Sequence, residues 1–244
     1  MNRPLELLRL FSCLIGLVLR RKSYGTFMKI YTECKFDSGF VRSYSQFGED
    51  LALMFYLGSE SQKTFIDVGC NDPNRFSNTR LLHEAGWVGL NIDANPEFEK
   101  AFSKFRPGSK FVSALVGTGK TPISFYMFTE SALDTTDKTM AMDHVNNAWQ
   151  LLEERKIQPQ TLNEIILKEF QNATPTLLAL DCEGAEIDVL NSLDMQIHKP
   201  KRILFESVNY SLLQRDGSVV NYLKEKGYSV MCTLPQSTLM TLNP

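Results

Sequence analysis

With 244 residues and 43% hydrophobic content the chain is long enough to bury a sizeable core, as one large domain or two small ones. A formal net charge of -2 argues against a nucleic-acid surface built on bulk positive charge and favours a small, neutral partner. Five scattered cysteines, with no CxxC pair and no histidine at zinc-ligand spacing, fit a reducing compartment, so a cytoplasmic location is expected.

The first segment, residues 4–21, reads as a helix with an apolar stripe and a basic end. Its apolar stretch, Leu10 to Leu19, is about half the roughly 20 residues a membrane span needs. Arg20-Arg21-Lys22 stand where a secretory signal would place a small-residue cleavage site. We expect residues 1–43 to form a helical extension. Two readings stay open for it: docking on the domain or on a second copy as a homodimer, and peripheral contact with the inner membrane face.

From Thr64 onward short apolar runs alternate with helical patterns, the signature of βαβ units and a parallel sheet. The predicted strands are 64–69, 87–95, 110–117, 176–184 and 202–208, with helices over 73–85, 97–105, 161–170, 185–193 and 219–226 between them. A further strand over 122–128 is expected to pair with 110–117 through Gly117-Thr118-Gly119. Residues 129–160 break the rhythm with "ESALDTTDK" and a helical stretch, 140–156, and read as an insertion that forms a lid or a brace. The chain closes with strands 228–233 and 237–242, whose short link, Leu234-Pro235-Gln236, forces an antiparallel pair. The expected fold is α/β: a doubly wound, mostly parallel sheet with an antiparallel C-terminal hairpin strand.

Ligands of such sheets bind outside the carboxyl ends of the strands. Asp67, Gly69 and Asn71 stand there after the first strand, and Asp93 and Asn95 after the second. Ser113 lies on the third, Asp181 and Glu183 after the next, and Glu206 on the strand that follows. A dinucleotide site needs G-x-G-x-x-G, so that backbone amides approach a pyrophosphate. This chain has Gly69-Cys70-Asn71-Asp72-Pro73, where Asp72 repels a phosphate and Pro73 lacks an amide donor. An NAD-dependent oxidoreductase is thereby disfavoured. S-adenosylmethionine fits, because it has no phosphate and carries a sulfonium, an ammonium and a ribose diol. Asp93 is expected on the ribose hydroxyls, Asp67 or the backbone it orients near the methionine ammonium, and Gly69 where the cofactor approaches the backbone.

Taken in order, "SQFGEDLALMFYL", "FIDVGCNDPNRFSNTRLL", "GWVGLNIDANP", "RPGSKFVSALVG", "LALDCEGAEIDVLNSLD" and "ILFE" resemble the FkbM family of S-adenosylmethionine-dependent methyltransferases. The resemblance covers about residues 44–228. It implies a Rossmann-like class I methyltransferase domain, here 44–244 with a seven-stranded sheet, and O-methylation of a hydroxyl on a sugar, glycan or polyketide-like product. It also implies that Gln46 and Glu49 of "SQFGED" cover the cofactor.

A sugar hydroxyl is a weak nucleophile whose proton must be removed during transfer. Asp181 is the expected base or metal ligand, with Glu183 in support and His144 of the insertion as an alternative base. Asp181 as a mere cofactor contact or helix cap stays open, as do a divalent metal and a non-catalytic scaffold on the same fold.

Overall fold

The computed structural model describes residues 42–209, 214, 215 and 217–244. The expectations for the extension, helix and membrane or dimer contact alike, therefore fall almost wholly outside the described residues. Helix α1 (Glu49–Leu57) precedes β1 (Thr64–Val68), and α2 (Arg80–Glu84) leads into β2 (Val88–Asp93). Helix α3 (Glu99–Phe105) leads into β3 (Lys110–Ser113), followed by β4 (Ile123–Phe128), α4 (Lys138–Asn146) and β5 (Leu151–Ile157). Then come α5 (Leu162–Glu169), β6 (Leu177–Leu180), α6 (Glu186–Asn191), β7 (Arg202–Glu206) and the short strands β8 (Val208–Asn209) and β9 (Gln214–Arg215). Helix α7 (Ser218–Glu225), β10 (Tyr228–Thr233) and β11 (Ser237–Leu242) complete the chain.

Seven strands form one sheet in the order β10-β11-β7-β6-β1-β2-β3. The pairs among β7, β6, β1, β2 and β3 are parallel, and β11 runs antiparallel to both β7 and β10. The expected doubly wound sheet with its C-terminal hairpin is therefore present. Strand order reverses between β1 and β6, which opens a crevice at their carboxyl ends.

Each strand points alternate residues to opposite faces, and each face buries a separate layer. On one, Ile66, Leu90, Leu178 and Ile203 pack against Leu162 and Ile166 of α5, Val189 of α6 and Leu223 of α7. On the other, Phe65, Leu177 and Leu204 pack against Leu53 and Leu57 of α1 and Leu82 of α2. Among the described residues no helix is long and apolar enough to cross a membrane.

Three expected elements differ. The helix over 73–85 shrinks to α2, because residues 70–79 form a loop held by long-range contacts described below. Strand 110–117 ends at Ser113, and β4 pairs antiparallel with β5 instead, from Ile123 with Ile157 to Phe128 with Leu151. The helical stretch over 140–156 accordingly splits into α4 and β5, since β4 offers the second half a strand partner.

Candidate active site

The tips of β1, β2 and β6 are tied together by backbone. Gly69 and Cys70 donate N–H groups to the Ile92 carbonyl at 2.9 and 3.2 Å, and Asp181 donates to the Val68 carbonyl at 3.0 Å. Gly69 adopts φ +75°, and a Cβ there would lie 1.8 Å from the Asp181 carbonyl oxygen. Only glycine permits both the conformation and the approach. Beside this seam lies a cavity of ≈ 510 Å³, and Gln46, Gly69, Asn71, Asp93, Asp181, Glu183 and His144 all line it.

At the tip of β2 the Asp93 carboxylate accepts N–H groups on both oxygens, from Asn71 to Oδ2 at 2.9 Å and from Asn95 to Oδ1 at 2.8 Å. Burial pushes its carboxyl up to about 6 against the pull of these two amides, with Asp134 and Asp67 adding to the rise. Each carboxylate oxygen keeps a lone pair for a further donor, which is what a ribose diol offers.

Four expected site residues lie outside this lining. Asp67, 3% exposed, shares the β1 face of Phe65, turned away from the cavity, and its Oδ2 accepts the Thr79 hydroxyl at 2.5 Å. Asn95 is buried as the cap of the turn Pro96–Phe98, accepting the Glu97 N–H at 3.0 Å and donating Nδ2 to Asp134 at 3.0 Å. Ser113 is exposed on β3, and the next three residues, Ala114, Leu115 and Val116, line the cavity instead. Glu49 is 2% exposed, and its Oε2 accepts the Phe47 N–H at 2.9 Å. It faces a smaller adjoining recess of ≈ 10 Å³, shared with Gln46, Asp181 and Glu206.

At the tips of β6 and β7, Asp181, Glu183 and Glu206 place carboxylate oxygens within 4.8 Å of one another, a spacing that a divalent cation could bridge. Burial, then the neighbouring Glu206 and Glu186, hold the Asp181 carboxyl well above its usual range. Burial together with Asp181 and Glu186 pushes Glu183 up to about 8. Glu183 takes φ +50° and Gly184 φ +93°, so the turn after β6 carries a non-glycine residue in the left-handed region at the cavity wall. Glu186 fixes that turn by accepting the Cys182 and Gly184 N–H groups at 3.1 and 3.3 Å.

The insertion supplies a further wall: Leu133, Asp134, Met140, Asp143 and His144, the last edge-on to Phe128 with centroids 5.4 Å apart. Three contacts fasten it to the loops after β1 and β2. Glu130 pairs with Arg75 at 2.8 Å, the Ser131 hydroxyl donates to Asn71 Oδ1 at 2.8 Å, and Asp134 accepts from Asn95. Phe76, Leu133, Asp134, Met140 and Asp143 also line the cavity, though none stands at a strand end where the sequence would mark it. The break in rhythm at "ESALDTTDK" was the signal for the insertion residues, while Phe76 stood inside an expected helix.

Such a sheet, with its cleft at the strand-order switch and a carboxylate-lined wall in place of a phosphate loop, defines a Rossmann-like class I methyltransferase domain. The sequence model of the methyltransferase FkbM domain matches residues 67–230, and the chain belongs to that family, whose cofactor is S-adenosylmethionine. A comparison with curated proteins finds no match. Among solved structures, a TehB-like SAM-dependent methyltransferase from Corynebacterium glutamicum is 10% identical at a TM-score of 0.42, covering 90% of this chain and 96% of that one. The precorrin-6y C5,15-methyltransferase from Geobacter metallireducens is 11% identical at a TM-score of 0.40, covering 79% and 85%. The family assignment rests on the sequence model alone.

Proposed function

We propose that this chain methylates a hydroxyl oxygen of an uncharged, polyhydroxylated acceptor, a sugar, glycan or polyketide-like product. The observation that carries the reading is the Asp181–Glu183–Glu206 cluster beside the Asp93 wall, within one cavity. Six carboxylates line that cavity, Asp93, Asp134, Asp143, Asp181, Glu183 and Glu206, and no Lys or Arg among the described residues does. This chemistry fits a cationic cofactor and disfavours a phosphate or carboxylate on the acceptor. Asp72 gives no opening to a phosphate either, since its Oδ1 accepts the Asn74 and Arg75 N–H groups at 2.8 and 2.9 Å.

When bound, S-adenosylmethionine supplies an electrophilic methyl group on a sulfonium. Asp93 would hold the ribose diol through its two remaining lone pairs. Asp181 or Glu183, in its ionised form, would take the acceptor's hydroxyl proton at a carboxylate oxygen, the raised proton affinity of the crowded cluster making that carboxylate a stronger base. The insertion wall would orient the acceptor, so that positioning supplies much of the rate. Calorimetric titration with S-adenosylmethionine, followed by mass spectrometry of neutral and phosphorylated sugars for a gain of ~14 daltons, the mass of one CH2, tests the reading. Cofactor binding with methylation of a neutral acceptor is expected. Absence of cofactor binding, or preference for the phosphorylated acceptors, would overturn it.

A further inference from the structure

Residues 70–79 carry two cavity-lining residues in the left-handed region, Asn71 at φ +45° and Phe76 at φ +56°. Asparagine enters this region readily, but a bulky aromatic such as Phe76 does not, so contacts from outside the loop must hold Phe76 there. The loop has its own Asx turn at Asp72 and donates the Ser77 N–H to the Tyr44 carbonyl at 3.0 Å. The larger grip comes from Arg106, at the end of α3 and only 1% exposed. Its Nε and one terminal nitrogen donate to the Pro73 carbonyl at 3.0 and 2.7 Å. That same nitrogen donates to the Ser77 hydroxyl at 2.6 Å, and the other reaches Thr79 Oγ1 at 3.4 Å. The Thr79 hydroxyl in turn donates a hydrogen bond to Asp67, whose carboxylate supplies the opposite charge for the buried guanidinium.

We propose that Arg106 is a positioning residue for the cofactor site: its fork clamps Pro73 and Ser77 on either side of Phe76, and so fixes the strained loop that presents Asn71 and Phe76 to the cavity. The Asp67–Thr79 pair is its counter-charge. This assigns Asp67 a role at one remove from the ligand. A lysine at this position keeps the charge but offers one nitrogen in place of three, so it loses the second bond to Pro73 from Nε and the contact with Thr79. The inference rests on the cofactor reading above.

The test compares wild type with Arg106→Lys, Ser77→Ala and Leu223→Ala, the last a destabilising control on α7. S-adenosylmethionine titrations and hydrogen exchange of residues 70–79 are read on all four proteins. Arg106→Lys is expected to weaken cofactor binding by ~10–100-fold, and Ser77→Ala by several-fold. Both should raise exchange selectively within 70–79, and Leu223→Ala should leave both readouts there unchanged. Should Arg106→Lys not fold, Ser77→Ala decides. Wild-type affinity and unchanged exchange in these loop variants would overturn the positioning role, as would an equal loss in Leu223→Ala. If wild-type protein itself fails to bind the cofactor, the functional reading falls, while the exchange data still decide whether Arg106 holds the loop.

Discussion

At the tips of β1 and β2 each oxygen of Asp93 receives a backbone N–H, from Asn71 and Asn95, and the carboxyl sits at about 6. At the tips of β6 and β7, Asp181, Glu183 and Glu206 crowd within 4.8 Å of one another, and Glu183 reaches about 8. The first arrangement is an acceptor oriented by backbone, ionised at neutral pH and suited to hold hydroxyls. The second favours keeping a proton among its members, which suits a group that must take one up and release it. The two regions meet at Gly69, whose Cα lies against the Asp181 carbonyl.

The largest break in this pairing comes from that seam. Gly69→Ala places a Cβ 1.8 Å from a backbone oxygen at φ +75°. We expect a loss on the order of 4 kcal/mol in denaturant unfolding, in the exceptional range for one substitution. Asp181→Asn should then separate the two ends. Turnover is expected to fall by ~10²–10⁴-fold with cofactor affinity nearly kept. Full methyl transfer in this variant would remove Asp181 from the chemistry.

Asp93→Ala should do the reverse, weakening S-adenosylmethionine binding by ~10–100-fold, for hydrogen bonds to a charged acceptor worth about 1.5–3 kcal/mol. In wild type the same carboxyl is protonated as pH falls through about 6. Calorimetry should therefore show affinity declining below that pH by up to about tenfold per unit.

The smallest effect concerns Glu183 and stability. Its folded carboxyl, at about 8, lies above its ordinary 4.5, so the folded state favours the proton. The associated stability is present below 4.5 and is lost as pH rises through about 8. Glu183→Gln should thus melt a few degrees higher than wild type at alkaline pH, and differ little in acid. The same variant should blunt any rise of turnover with pH toward 8, a rise that belongs to the coupled cluster as a whole.

Much of the sheet was legible because its signals are local. Apolar runs bounded by Gly69 and Gly86 marked β1 and the turn into β2, and the three-residue link before Ser237 imposed the antiparallel hairpin. Asp93, Asn71, Asp181 and Glu183 were legible as cavity residues because each stands at a strand end. The direction of the Asp67 side chain was not legible: a residue near a strand tip points to either face, and β1 gives it the face of Phe65. Residues 73–79 resembled a helix start, but Arg106, far along the chain, captures Pro73 and Ser77. The β5 segment has a helical pattern when read alone and becomes a strand because β4 lies beside it.

Hydrophobic period, glycine placement and strand-end acids are properties of short windows, and from these the sequence alone determined an alternating α/β sheet with acidic residues at its strand ends. Which acids face that cleft, how the insertion closes it, and how a buried arginine holds its strained loop depend on residues tens of positions apart. Only the packed tertiary structure, where those residues exclude water together, decided them.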